Sequence, residues 1–410
     1  MAEYPADQIF APAEAIKCIA SNNNTPFYLY DRQGIQNSVN KLHCLFSWSE
    51  HFQNYFPIRE NNNPHLLRLL RDLGTGVCAN SKSELQLAMR CGFQGDNLLY
   101  EPLVKDQETE NLAHDYGAGW FCNSASLLPD ILPKKLILRY NPCDLTFTPQ
   151  IRQAVLRSKC GFNREDLFET AQLLVGKGLD EIGLAMQISS YSLHKGFWAK
   201  KTSILLTVAE QLTQQTGLSV RYCHIGEGPG LPYHPSIKAT DYKEEADEVR
   251  KVLEKLPETA RPILYTAVTG RLLEENGILI TKVLEIRQIL KTYLVLDSGV
   301  CQYIRPVLKQ AYRHLSVLGN SRMEKRKTYY VVGTMPVSFD RFSLKGRILP
   351  VVKPGDYCVV HDTGCGARCM PMLYGSSCIP GEYLYCEDGS IHQIAPHRTE
   401  EEVLHFLTAL

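Results

Sequence analysis

The stretch Asn54–Gly74, NYFPIRENNNPHLLRLLRDLG, decides the fold. Tyr55, Phe56 and Ile58 make a short apolar run of strand character that ends in a polar cluster. Pro64 then opens an amphipathic helix. Leu66, Leu67, Leu69, Leu70 and Leu73 fall on or near its apolar face, and Gly74 stops it. A strand whose last residues carry functional groups, followed by a helix, is one unit of a β/α barrel. Barrel chemistry sits at the C-terminal ends of the strands. The residue at that spot is Arg59.

Outward from this unit the alternation continues. PFYLYD (Pro26–Asp31) and a helix over Ile35–Phe46 precede it. GTGVCANSKSELQLAMRCGF (Gly74–Phe93) gives a strand, then a helix capped by Ser81 or Ser83 with Glu84 as first-turn acid and Gly92 as stop. NLLYEP leads to a helix over Glu108–Tyr116, GWFCNS to one over Ala125–Leu132, and KLILRYNP (Lys135–Pro142) is a strand. After SKCGFNRED (Ser158–Asp166) a helix runs to Gly176. GLAMQISS (Gly183–Ser190) precedes a helix over Lys201–Thr216, and VRYCHIGEGPGLPY (Val220–Tyr233) ends in a glycine-rich loop. A helix over Asp241–Leu256 and the strand PILYTAV (Pro262–Val268) complete the series. About eight repeats in roughly 240 residues is the size of a (β/α)₈ TIM barrel.

Beyond Gly277 the period changes. ILITKVLEIRQ, KTYLVLDSG, KTYYVVGT, GDYCVVHD and GEYLYC are β-rich runs with turn signals between them, which predicts a β-sandwich or β-barrel domain. The expected division is an N-terminal segment 1–25 packing on the C-terminal domain, a (β/α)₈ barrel over 26–276, and a β-domain over 277–410.

Composition narrows the function classes. Lys+Arg and Asp+Glu balance at 44 each, so bulk charge gives no reason to expect a nucleic-acid or membrane partner. The first residues, MAEYPADQIF, lack a basic stretch followed by an apolar run, and no window approaches a membrane span, so a cytoplasmic location is expected. The 14 cysteines are scattered, several within apparent strands, which suits buried, reduced thiols. Cys365, Cys369 and Cys378 lack zinc-site spacing, so no metal is expected.

Seven segments in order carry a family resemblance: SKSELQLAMRCGF; LRYNP then SKCGF; IGEGPGLPY; TGR (Thr269–Arg271); LDSGVCQYIRPVLKQA (Leu296–Ala311); VVGTMPVSFDRF (Val331–Phe342); and GDYCVVHDTGCG (Gly355–Gly366). From about Thr25 to its C-terminus the chain resembles the fold-type III pyridoxal-phosphate (PLP) decarboxylases. These include the diaminopimelate, ornithine/arginine and carboxynorspermidine enzymes, with alanine racemase a distant relative. The resemblance implies a β/α barrel of the alanine racemase type with a C-terminal β-domain, working as a homodimer on an amino-acid substrate.

At the positions that hold the coenzyme in that family, this chain departs. The family's lysine, which forms the Schiff base with PLP, falls at Arg59, and a guanidinium does not form that imine. The acid that partners the pyridine nitrogen falls near Val268, the ring-stacking histidine at Gln187, and a C-terminal cysteine at Pro336. The phosphate-contacting tyrosine has no counterpart in Gly364–Gly366. Ser190, Arg271, Arg305 and Asp340 match the family, as do Gly226, Gly228 and Gly230, with Glu227 placed where the family has glycine.

These readings yield an expected site. Arg59, Gln187, Ser190, Arg271 and Arg305 would bind substrate, with Arg59 either an anion clamp or a partly buried arginine paired with Glu60 or another acid. Gly226, Gly228 and Gly230 would form either an anion-cradling loop or a tight barrel turn. Glu227 and Asp340 would transfer protons, and Cys365 would be a nucleophile or an inert thiol. The expectation is therefore a decarboxylase-like protein that binds or transforms a small amino-acid-like molecule without covalent PLP and with no cofactor. Two alternatives stand beside it. One is a non-catalytic regulatory protein like the antizyme inhibitors. The other is a PLP-dependent decarboxylase with an unusual site, its amine supplied by Lys105 or Lys159.

Overall fold

The computed structural model describes residues 9–22, 25–143, 149–188, 193, 195–308, 312–319, 325–366, 368–376 and 378–408. The first strand, β1 (Phe27–Asp31), is followed by a helix over Arg32–Leu45. Then come β2 (Gln53–Pro57), β3 (Gly76–Ala79), β4 (Leu98–Tyr100), β5 (Gly119–Cys122), β6 (Leu136–Arg139), β7 (Glu181–Ala185), β8 (Ser219–His224) and β9 (Ile263–Thr266). The eight strands β2 to β9 pair in parallel and in sequence order to form a closed barrel, β9 returning to β2 through Gln53↔Tyr265 and Asn54↔Thr266. Asn54 locks that seam. Its Oδ1 accepts from Thr266 Oγ1 at 2.8 Å and from the Val268 N–H at 2.7 Å. Tyr55, Cys78, Leu99, Phe121, Ile137, Ala185 and Tyr265, drawn from seven strands, fill the interior.

Local sequence explains the elements around the site. Pro57 ends β2, and the chain turns through Ile58–Glu60 before Asn63 caps the helix Pro64–Asp72 by accepting from the His65 N–H. That helix buries Leu66, Leu67 and Leu70, as its apolar spacing requires. Ser81 caps the helix Lys82–Arg90, and the Glu84 carboxylate accepts from the Asn80 N–H at 2.7 Å. Gly92 follows with φ +86°, a conformation that favours glycine. Two helices differ from expectation. Ala125–Leu132 shrinks to a turn over Ala125–Leu127, because Pro129 and Pro133 interrupt it. The helix expected from Lys201 begins earlier, at Phe197, and runs to Thr216. Its cap comes from another helix: the Glu245 carboxylate accepts from the Gly196 and Trp198 N–H groups.

The second compact unit is mostly sheet. It comprises β10 (Gly277–Gln288), β11 (Thr292–Leu296), β12 (Leu315–Val317), β13 (Arg326–Val332), β14 (Arg347–Pro350), β15 (Tyr357–Val360), β16 (Gly381–Tyr385) and β17 (Ile391–Ala395). The main path runs β14-β13-β11-β10-β1-β16-β17, with β15 joining β10 to β12. β1, expected within the barrel region, stands in this sheet instead, antiparallel to β10 and parallel to β16. Its FYLY run is buried on both faces, which suits a central strand of either fold. A following helix therefore does not discriminate between the two. By contacts, the chain divides into a barrel unit (Val39–Leu231 and Ala239–Thr269) and a sheet unit holding the residues through Ser38, Pro232–Lys238 and Gly270 onward. No helix among the described residues is long and apolar enough to cross a membrane.

Candidate active site at the barrel mouth

Successive strand ends bring polar side chains into one cluster. Asn80 follows β3, Glu101 follows β4, Asn123 follows β5, Arg139 ends β6, Gln187 lies two residues past β7, and Glu227 lies three past β8. Arg59, in the turn after β2, donates from Nη1 to Asn80 Oδ1 at 2.7 Å. Glu101 is the hub. Only 3% exposed, it accepts from Asn80 Nδ2 at 2.9 Å and Asn123 Nδ2 at 3.1 Å. It also lies 3.9 Å from Arg59 and 3.4 Å from Arg139, so one buried carboxylate serves two guanidiniums. Arg139 donates a further bond to the Gln187 carbonyl at 3.0 Å.

These residues border a cavity of about 290 Å³ whose lining includes Arg59, Arg139, Arg157, Gln187, Cys160 and Glu227. Burial works against the Arg59 charge. Glu101, helped by Cys78, Glu60 and Glu227, outweighs it, and the guanidinium is held above its ordinary value. Arg157, at the exposed rim, makes no ion pair or side-chain hydrogen bond among the described residues. No lysine lines the cavity among the described residues.

The glycine loop after β8 is shaped by packing. Gly226 has φ +70°, and a Cβ there would meet the Met186 carbonyl at 2.7 Å. At Gly228 a Cβ would lie 2.8 Å from both Trp198 and the Tyr242 hydroxyl. The Gly226 N–H is used internally, donating to His224 Nδ1 at 3.1 Å, and Gly230 is buried. The loop's carbonyls are pinned as well. Glu227 O accepts from Trp198 Nε1 at 3.1 Å and from Lys201 Nζ at 3.0 Å, and Pro229 O accepts from the Tyr242 hydroxyl at 2.7 Å. Burial pulls Lys201 down to about 7, although Glu227, Glu245 and Cys223 oppose the fall. Burial also takes His224 to about 3, with Lys201 and Arg139 lowering it further, so this histidine is a neutral acceptor.

Of the expected site residues, Arg59, Gln187 and Glu227 line the cavity, and Gly226, Gly228 and Gly230 form the loop that carries Glu227. Ser190 lies outside the described residues. Arg271, Arg305, Asp340 and Cys365 belong to the sheet unit. There Arg271 pairs with Glu275 at 3.0 Å, and Arg305, 5% exposed, lies 3.9 Å from Glu274. Both Asp340 oxygens accept backbone N–H groups, from Val300 and Met335, each at 2.7 Å. Such a carboxylate holds the two loops together. Cys365 is fully buried. Lys105 is exposed and pairs with Asp130, and Lys159 is exposed, so neither amine is placed in the cavity.

Sequence reasoning passed over Glu101, Arg139, Arg157, Trp198 and Lys201. Glu101 and Arg139 stand at strand ends in YEP and LRYN, where the barrel rule points to them. In the sheet unit it also missed Arg313, 1% exposed, which bonds Glu274 and the Tyr303 hydroxyl, each at 2.7 Å.

Residues 33–273 match the profile of a family described as pyridoxal-dependent decarboxylase, pyridoxal binding domain, more than half of the chain. The chain belongs to this family. It is similar to Protein TabA of Pseudomonas amygdali pv. tabaci, 25% identical over 381 residues, which span 92% of this chain and 90% of that protein. It is equally similar to the diaminopimelate decarboxylase of Methanothermobacter thermautotrophicus, 25% identical over 403 residues, spanning 96% of this chain and 93% of that one. Among solved structures, diaminopimelate decarboxylase from M. jannaschii in complex with L-lysine superposes with a TM-score of 0.86 at 20% identity, covering 94% of this chain and 92% of that one. The Helicobacter pylori enzyme complexed with L-lysine gives 0.85 at 22%, covering 96% and 99%.

The match corrects one expectation. A protein without a cofactor does not follow from Arg59, because the matched region is a pyridoxal-binding domain and PLP is the cofactor its family takes. The donor set here fits part of that group. Arg59, Arg139 and Arg157 supply cationic partners for a phosphate or carboxylate, whereas the described lining supplies no amine for a covalent link.

Proposed function

We propose that the barrel cavity is the ligand site of a decarboxylase-family protein and recognises a small amino-acid-like molecule by charge, with Arg59 as its anion clamp. The observation that carries this reading is the convergence of Arg59, Arg139 and Arg157 with Glu227 on one polar cavity at the C-terminal ends of the strands. A planar guanidinium suits a carboxylate or phosphate bidentately, so a PLP phosphate falls within the same ligand class. Arg59 replacing the family's lysine is part of the proposal, and it moves that position from bond formation to ion pairing.

The experiment is calorimetric titration of the purified chain with L-glutamate, L-lysine and PLP. Saturable binding of at least one supports the reading, and heat of dilution alone for all three at millimolar concentration removes it.

A second reading, PLP-dependent amino-acid decarboxylation, is favoured by the match to the pyridoxal-binding domain and by the names of the relatives. Release of carbon dioxide from diaminopimelate, lysine or ornithine with added PLP would establish it. A homodimer is also proposed, and light scattering at the mass of one 46.3 kDa chain would refute it.

A further inference from the structure

The reading of the cavity as an amino-acid-like site leaves one residue unexplained. A pocket built to hold a plain anion gains nothing from a carboxylate in its wall, because like charges repel. Glu227 is nevertheless there, beside three arginines. Its place is fixed by the fold. The backbone carbonyl of Glu227 is held by both Trp198 and Lys201, the Pro229 carbonyl accepts from the Tyr242 hydroxyl, and Gly228 packs against Trp198 and Tyr242. Its carboxylate is near enough to Arg59 to help hold that charge, and near enough to Lys201 to oppose that amine's loss of its proton. Glu101 already serves Arg59 and Arg139 from the buried side. The cavity therefore offers cations and one carboxylate to the same occupant.

We propose that Glu227 is the cavity's ammonium acceptor and makes the site select ligands that carry an amine as well as a carboxylate. This inference rests on the reading of the cavity given above and adds a specificity-determining residue to it. A ligand carboxylate pairs with the arginines while its ammonium donates to Glu227, so the charges of a zwitterion match the two signs of the wall. A charge-assisted bond of this kind corresponds to about tenfold or more in affinity.

L-Glutamate and glutarate differ only in the α-ammonium, and they test the point sharply. Net charge alone favours the dianion glutarate in a cavity with an excess of arginine. The proposal predicts the reverse: L-glutamate binds at least tenfold more tightly by calorimetry. In Glu227→Gln the preference disappears and glutarate binds as well as before or better. A wild-type ratio near one or in favour of glutarate overturns the proposal, and so does a Glu227→Gln protein that keeps the preference. If wild type binds neither compound nor L-lysine nor PLP, the cavity reading itself fails, which is a separate outcome. Should Glu227→Gln lose both ligands, Glu227→Asp decides. A retained preference for L-glutamate supports the proposal, and a ratio near one overturns it.

Discussion

Replacing Lys201 by methionine changes how stability depends on pH, and the size of the change follows from its burial. The amine is 1% exposed, and burial takes it from 10.5 to about 7. Below pH 7 the amine is protonated in both the folded and unfolded chains, and the full cost of the buried charge is present. Between pH 7 and 10.5 the unfolded chain binds the extra proton, so stability rises with pH, and above 10.5 this contribution is complete. The slope reaches about 1.4 kcal/mol per pH unit, and the total is a few kcal/mol. Methionine abolishes the slope and forfeits the bond to the Glu227 carbonyl, worth about 1 kcal/mol, although Trp198 still donates there. Lys201→Met is therefore more stable than wild type at pH 7 and slightly less stable near pH 10.5. Denaturant melts of both proteins across that range measure the difference. Parallel stability curves would refute the burial argument.

Two further substitutions test the stitching around the site and in the sheet unit. Asp340→Ala leaves the Val300 and Met335 N–H groups without their acceptor, so it lowers stability by about 2–4 kcal/mol, read as a shift of the urea midpoint. Gly228→Ala places a Cβ 2.8 Å from Trp198 and the Tyr242 hydroxyl, costs about 1–3 kcal/mol, and shifts the tryptophan emission by displacing the indole.

The barrel was legible because each strand–helix unit carries its own signals. In Asn54–Gly74 a β run, a polar stop, Pro64 and five leucines specify strand, turn and helix without outside help. β1 was misplaced because a strand buried on both faces reads the same in a barrel and in a sheet, and its neighbours β10 and β16 lie far away in sequence. The start at Phe197 was missed for a related reason, since its capping carboxylate, Glu245, comes from another helix. At the site, Arg59 was visible as a strand-end residue, and Gln187 and Glu227 as departures from the family's pattern. Lys201 was hidden, because only the folded chain reveals that its amine is buried against the Glu227 carbonyl. The role of Asp340 was likewise invisible, since its acceptors' partners, Val300 and Met335, are fixed by loop geometry rather than by spacing.

The central claim is that Arg59 clamps an anion in the barrel cavity. Its side chain is 39% exposed, so solvent weakens the contact toward the lower end of charge-assisted bonds, about 1.5 kcal/mol or roughly tenfold in Kd. The most direct measurement is calorimetric titration of wild type and Arg59→Ala with L-glutamate and PLP under one buffer and salt condition. About tenfold weaker binding of whichever ligand wild type binds is the predicted result, and an unchanged Kd in Arg59→Ala would contradict it.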